Sequence, residues 1–230
     1  VTLDGLSVLV VGATGGLGGP ISRQLAQHGA QLTLVGRDAE RLTALGLDAA
    51  LVTGDLRDSE TAQQCVEAAV AAHGQLDGVV IASGVVAFGA LSDLSDETLE
   101  ELFSVNTIAP IRLVRAALPH LDESSKAGRN PFVVNISAVV AEQPTAGMAA
   151  YSASKAALTA FDQAAGRELR RLGIRLIDAR PPHTETGLAT RPIAGSPPKL
   201  PTGLEPESVA ARVISAIVDD EKDLPSASFM

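Results

Sequence analysis

The chain has no tryptophan, one tyrosine and one cysteine in 230 residues, and aromatics make up only 3%. So few rings leave little to stack unpaired bases, which argues against a platform for single-stranded nucleic acid. They also leave the core to be built from Ala, Val, Leu and Ile. Cys65 has no internal disulfide partner and reads as a small buried residue in a reducing compartment rather than a nucleophile. Basic residues are in deficit, 18 Lys+Arg against 27 Asp+Glu, for a net charge of -9. A duplex-binding surface usually shows a basic excess, so no nucleic-acid partner is expected. No apolar run approaches the ~20 residues of a membrane span. Asp4 stands where a signal peptide would lead with basic residues. The expectation is a cytoplasmic protein with no membrane partner. The four His and single Cys are scattered without ligand spacing, so no metal site is expected. No Gly-x-Ser-x-Gly elbow supports serine-hydrolase chemistry.

What remains is a globular composition, 46% hydrophobic and 20% charged, in a chain long enough for a sizeable core. Its rhythm is a short apolar run, a turn, then a helical stretch. Strands are expected at Ser7–Val11, Gln31–Val35, Ala49–Thr53, Gly78–Ala82, Pro131–Ser137 and Ile174–Ala179. Helices are expected at Pro20–His28, from an Asp38 cap through Leu45, at Ser59–His73, from a Ser95 cap to about Leu121, at Met148–Leu172 and at Pro206–Val218. Pro110 predicts a kink or break in the long fourth helix. The tail after Val218 is expected to add an edge strand. Alternating strands and helices imply a parallel sheet covered on both faces. Only Pro181–Pro206 breaks the rhythm: it holds seven prolines in a long connection. Such loops are often lids or binding loops, so it is placed over the site.

The first strand runs into Gly12-Ala13-Thr14-Gly15-Gly16-Leu17-Gly18-Gly19. A glycine-rich turn from a buried strand into a helix suits a dinucleotide. Small residues let the backbone approach a pyrophosphate, and the helix N-terminus offers unpaired N–H groups. The second strand ends in Gly36-Arg37, where a carboxylate would repel a 2′-phosphate. Arg37 either pairs with such a phosphate or is a plain surface arginine. Asp38, one place late, is better explained as a helix cap.

Tyr151-Ser152-Ala153-Ser154-Lys155 places a phenol and an ammonium at i and i+4 on one helix face. A free phenol has a pKa of about 10, and a nearby ammonium favours the phenolate. A fall of ~2–3 units would bring Tyr151 into range as a general acid or base at a carbonyl or alcohol oxygen.

The Gly-x3-Gly-x-Gly spacing at 12, 16 and 18 and the segment Tyr151–Leu158 together resemble the short-chain dehydrogenase/reductase family. The resemblance runs from Leu6 to about Val218. It implies a single Rossmann-type α/β domain over 1–230, a doubly wound parallel sheet with helices on both faces, and a substrate loop at about 181–206. It implies a nicotinamide coenzyme, with Gly36-Arg37 favouring NADP over NAD. Cofactor contacts would come from Gly12, Thr14, Gly15, Gly16, Leu17 and Gly18. Arg37, Asp55 and Leu56 would lie at the adenosine end, and Ala82, Ser83 and Gly84 after the fourth strand. Tyr151, Lys155, Pro181, Thr184 and Thr186 would lie at the nicotinamide end. Lys155 would also bond the nicotinamide ribose, and Asn106 would hold a water in a relay to it.

The family's serine normally lies thirteen residues before the tyrosine, where this chain has Ala138. Ser137 is one step upstream. Either a bulge or an extra loop residue lets Ser137 reach the site, or the hydroxyl is absent. Other departures are Val11 for Thr, Ala82 for Asn, and Pro182 for Gly. His183 reads as a loop residue. The expected activity is NADP-dependent hydride transfer with a small, apolar carbonyl or alcohol substrate. The alternative is a catalytically weak NADP(H)-binding sensor or regulator. By resemblance, the two long helices would form a homodimer or homotetramer interface, although an apolar face could equally pack inside one monomer.

Overall fold

The computed structural model describes residues 1–230. Six strands form one parallel sheet in the order β3-β2-β1-β4-β5-β6. They are β1 Ser7–Val11, β2 Gln31–Gly36, β3 Ala49–Thr53, β4 Gly78–Ile81, β5 Phe132–Ile136 and β6 Arg175–Ala179. The order reverses at β1, where the chain crosses from β3 back past β1 to β4. That reversal opens a crevice at the carboxyl ends of β1 and β4.

Alternation along the strands divides the core in two. Val8 and Val10 pack with Leu32, Leu34 and Val134 under helices α1 (Gly18–Gln27), α2 (Ala39–Thr43) and α7 (Pro206–Val218). Leu9 and Val11 pack on the opposite face, under α3 (Thr61–His73), α5 (Ala109–Lys126) and α6 (Ala149–Arg171). α4 (Asp96–Phe103) covers the end of that layer. Cys65 is fully buried in it, and burial pushes its thiol up to about 11, as suits an inert packing residue.

Local chemistry sets the helix ends. Asp38 accepts from the Arg41 N–H and Ser95 from the Thr98 N–H, so both act as caps. Gly74 ends α3 at φ +71°, a conformation that costs glycine little. Pro20 falls in the first turn of α1, where its missing N–H costs nothing.

Several expectations need correction. α2 stops at Thr43 and α3 starts at Thr61, two residues later than expected. The break in the long fourth helix lies before Pro110, as a π-helical turn at Ser104–Ile108. Pro110 then sits in the first turn of α5, which runs on to Lys126. The tail adds no edge strand. It makes one bridge, Leu224 to Ala179, before Pro225 removes the next donor and a 3-10 turn forms at Ser226–Phe229. No helix is long and apolar enough to cross a membrane.

The proline-rich connection after β6 is tied down over the carboxyl ends of the strands. Ala194 bridges Ala87, Thr184 bridges Leu204, and the Phe88 N–H donates to the Ala194 carbonyl at 3.0 Å.

Candidate active site

The glycine turn is shaped for close backbone approach. Gly12 has φ +81°, and a Cβ there would lie 2.7 Å from the Ser83 nitrogen. At Gly16 an added Cβ would lie 2.5 Å from Thr186 Cβ, so residue 186 of the long loop rests directly on the turn. Ser83 Oγ is buried without a hydrogen-bond partner. The turn, Ala82–Ser83 and Thr186 therefore meet at the crevice, leaving an orphaned hydroxyl in the wall. That arrangement fits a dinucleotide.

At the far end, Gly36 leaves room that Thr14 Cγ2 and Leu42 would otherwise contest, each 3.3 Å from an added Cβ. Arg37 is exposed. Asp38 is engaged as a cap. Arg41 donates to the Thr14 carbonyl at 2.8 Å, which the sequence reading missed. Asp55 is clasped by Arg57 through Nε at 3.0 and 3.1 Å, and the Arg57 hydrogen bond holds its carboxyl below the usual range. Arg57 was also missed; an acid two residues before an arginine was the only signal. Leu56 is buried beside this pair.

At the chemical end three residues converge. A Cβ on Gly84 would lie 3.3 Å from Asn106 Oδ1 and 3.5 Å from Lys155 Nζ. Asn106 is fully buried in the π-helical turn. Its side chain accepts from the Val85 N–H and donates to the Val85 carbonyl, both at 2.9 Å, and donates to Ser154 Oγ at 3.1 Å. Ser154 Oγ in turn donates to the Tyr151 carbonyl at 2.8 Å. Asn106 thus ties the segment after β4 to the turn of α6 that carries Tyr151 and Lys155.

Lys155 is 4% exposed and donates to the Ile136 carbonyl at 2.9 Å. Burial draws its ammonium down to about 8, against the upward pull of Asp178 and Asp162. Tyr151 is 7% exposed in an apolar cluster with Val86, Phe88, Leu102 and Val140. Burial pushes its phenol up to about 12, opposite to the expected fall. Burial is the cause of the rise, and the ammonium that was expected to lower it donates to the β5 backbone instead.

No bulge re-aims Ser137. β5 stays in register with β6 through Ile136–Ala179, and the Ser137 N–H continues the ladder to the Ala179 carbonyl. Strand alternation turns its hydroxyl onto α6, where it meets the Lys155 carbonyl at 3.3 Å and Thr159 Oγ1 at 3.2 Å. Ala138 packs against the cluster around Tyr151 instead.

Tyr151 lines a small, open pocket of about 40 Å³ with Phe88, Leu91, Leu94, Leu102 and Met148, and with Asp93 and Thr98 as polar neighbours. The substrate loop expected at about 181–206 lines it only in part. Ala87–Leu91 contribute, but Ala194 alone comes from the long loop. Gly147–Ala150 and the segment Leu94–Leu102 complete the lining. Sequence reading missed them because α4 meets α6 only in the folded chain. Thr184 and Pro181 stay near the strand ends: Thr184 Oγ1 donates to the Pro182 carbonyl, and the Pro181 carbonyl accepts from the Val139 N–H. No group of three His, Cys, Asp or Glu side chains is placed to hold a metal ion.

A doubly wound parallel sheet with a glycine cradle at its switch point and a Tyr–Lys pair beside an apolar pocket defines a class of dinucleotide-dependent enzymes. Residues 7–194 match the family described as short chain dehydrogenase, and the chain belongs to that family. It is an oxidoreductase. An uncharacterized oxidoreductase of Methylorubrum extorquens is 32% identical, over 96% of this chain and 93% of its own. A ketoacyl reductase of Nostoc is 31% identical over 94% of this chain and 76% of its own. A short chain dehydrogenase from Burkholderia cenocepacia, solved in complex with NADP, superposes with a TM-score of 0.84 at 26% identity, covering 98% of this chain and 97% of its own. A 3-ketoacyl-(acyl-carrier-protein) reductase from Brucella melitensis, complexed with NADH, has the same fold, with a TM-score of 0.87 at 23% identity and 97% coverage of both chains.

Proposed function

We propose that the protein is an NADP-dependent oxidoreductase of a small, apolar carbonyl or alcohol, with Tyr151 as the general acid/base. The observation that carries this reading is the meeting of Gly84, Asn106 and Lys155 beside the Tyr151 pocket. When bound, the nicotinamide supplies or accepts a hydride. Gly12 and Gly16 would let the turn approach the coenzyme's phosphates, with Ser83 beside it and Thr186 toward the nicotinamide end. Gly36, with Arg37 beside it, supports NADP over NAD, because no carboxylate faces a 2′-phosphate there.

In reduction Tyr151 Oη gives its proton to the substrate oxygen and is left as phenolate. Lys155 beside it favours that charge, and Asn106 fixes the turn that carries both. The mostly apolar lining of the pocket suits an apolar substrate. Ser137 serves by bracing α6 rather than by touching substrate. A homodimer or homotetramer through α5 and α6 belongs to the same proposal, and light scattering would test it.

A second reading has support of its own. Ala138 puts no hydroxyl beside Tyr151, as suits a coenzyme-binding sensor with little turnover. Oxidation of NADPH and of NADH against a panel of ketones and aldehydes, with the native chain and Tyr151→Phe side by side, separates the two. Turnover that collapses in Tyr151→Phe supports the enzyme and decides the coenzyme. Tight NADPH binding without turnover of any substrate favours the sensor.

A further inference from the structure

The pocket that Tyr151 lines runs from a buried end to an exposed rim. Tyr151 is 7% exposed, whereas Leu91 is 76% exposed and Asp93, two residues on, is exposed as well. Asp93 is the only charged side chain in the lining, and no lysine, arginine or histidine shares the pocket with it. A 3-10 turn at Leu91–Asp93 holds it, with its N–H donating to the Ala90 carbonyl at 3.0 Å and its Oδ1 accepting from Ser92 Oγ at 3.0 Å. The segment that carries it, residues 85–111, has five carboxylates and no basic side chain.

An anionic substrate would find few donors at this rim. The backbone N–H groups of Phe88, Gly89 and Asp93 are already spent on the Ala194, Gly147 and Ala90 carbonyls. The Thr98 N–H donates to Ser95 Oγ. Lys155 donates to the Ile136 carbonyl and lies outside the lining. One influence runs the other way: the first N–H groups of α6 stand for about half a positive charge. The full charge of the Asp93 carboxylate outweighs it.

We infer that Asp93 determines specificity by reading charge at the rim: the carbonyl or alcohol brought to Tyr151 carries a cationic group, an ammonium above all, at the end remote from the reacting oxygen. The apolar walls take its carbon chain and Asp93 takes the ammonium. A carboxylate in the same place is repelled, so the preference has an attractive and a repulsive side. The inference names a substrate class for the Tyr151 reading above and rests on that reading. Because Asp93 is exposed, the discrimination acts across a wet rim and weakens as salt screens it.

The test reads occupancy of the pocket by carbon NMR of the methionine methyls. The chain has two, Met148 in the lining and Met230, which is 90% exposed and serves as an internal control. The probes are butylammonium, butan-2-one and butanoate at low ionic strength. Butylammonium should half-saturate the Met148 shift at a concentration about tenfold below butanoate, with butan-2-one between them. Asp93→Asn keeps an oxygen for Ser92 and removes the charge, so the gap should close to within about twofold. Asp93→Glu should retain it, and salt at about 1 M should shrink it in the native chain. Equal half-saturation by the two ions in the native chain, no Met148 shift with butylammonium, or a gap that survives Asp93→Asn would each overturn the inference. The readout needs no turnover. A charge order in a protein that reduces no ketone sinks the enzyme reading alone, and reduction of ketones without a charge order sinks this inference alone.

Discussion

Tyr151 carries the largest single prediction. Its phenol is held high by burial, so it is a proton donor throughout the neutral range. Tyr151→Phe should lower kcat by about 10²–10⁴-fold, the usual worth of a placed general acid. Quenching of tyrosine-independent coenzyme fluorescence should show NADPH binding within a few-fold of native. At the other end of the crevice, Arg37→Ala should weaken NADPH about 10–100-fold, the loss of one charge-assisted bond, and leave NADH little changed. Equal weakening of both coenzymes would place Arg37 outside the phosphate site. Asp162 yields a stability prediction with a definite sign. Its folded carboxyl titrates at about 8 and its unfolded one at about 3.9. The native chain therefore loses this stabilisation as pH rises through that window. Asp162→Asn removes the loss, so its melting temperature relative to native should climb by at least about 2 °C between pH 5 and pH 8. A constant difference would count against it.

At the scale of elements, the π-helical turn Ser104–Ile108 matters most. It points the Asn106 amide at the Val85 backbone and at α6 simultaneously. Asn106→Ala leaves the half-buried Val85 N–H and C=O without their partners. The expected loss is about 2–4 kcal/mol, from two unsatisfied backbone groups, read by urea titration. An asparagine inside a helix before a proline signalled the position in the sequence. The π geometry did not show there, because it depends on contacts with Val85 and Ser154, far off in the chain. Ser137 gives the same lesson. Alternation along β5 was legible, but which neighbour receives the hydroxyl depended on where α6 docks.

For the whole molecule, one arginine links three distant segments. Arg180, just after β6, binds Asp178 on that strand, Glu142 after β5, and Asp223 in the tail. Ser226 completes the tie by donating to Glu142. Burial pushes the Glu142 carboxyl up, but hydrogen bonds from Ser226 and Arg180 outweigh it and hold the group below its ordinary range. Its contribution is therefore present at neutral pH and lost as pH falls through the depressed folded value. A chain ending at Lys222 should melt lower at pH 7, and the difference should shrink in acid. The tie also sits one residue before Pro181, so the shortened chain should show a raised KM for the carbonyl.

Periodicity, glycine spacing and caps are local properties, and they let the sequence alone determine the six strands, the helices between them, the glycine cradle and the Tyr–Lys pair. Each depends on residues a few positions apart, whose geometry backbone sterics and hydrogen bonding set directly. The tertiary structure alone decided the direction of the Tyr151 shift, the turning of Ser137 onto α6, the α4 wall of the pocket, and the place of Asp93 at its rim. Those depend on which surfaces meet and how much water they exclude. Desolvation and contact between segments far apart in the chain belong to the packed molecule.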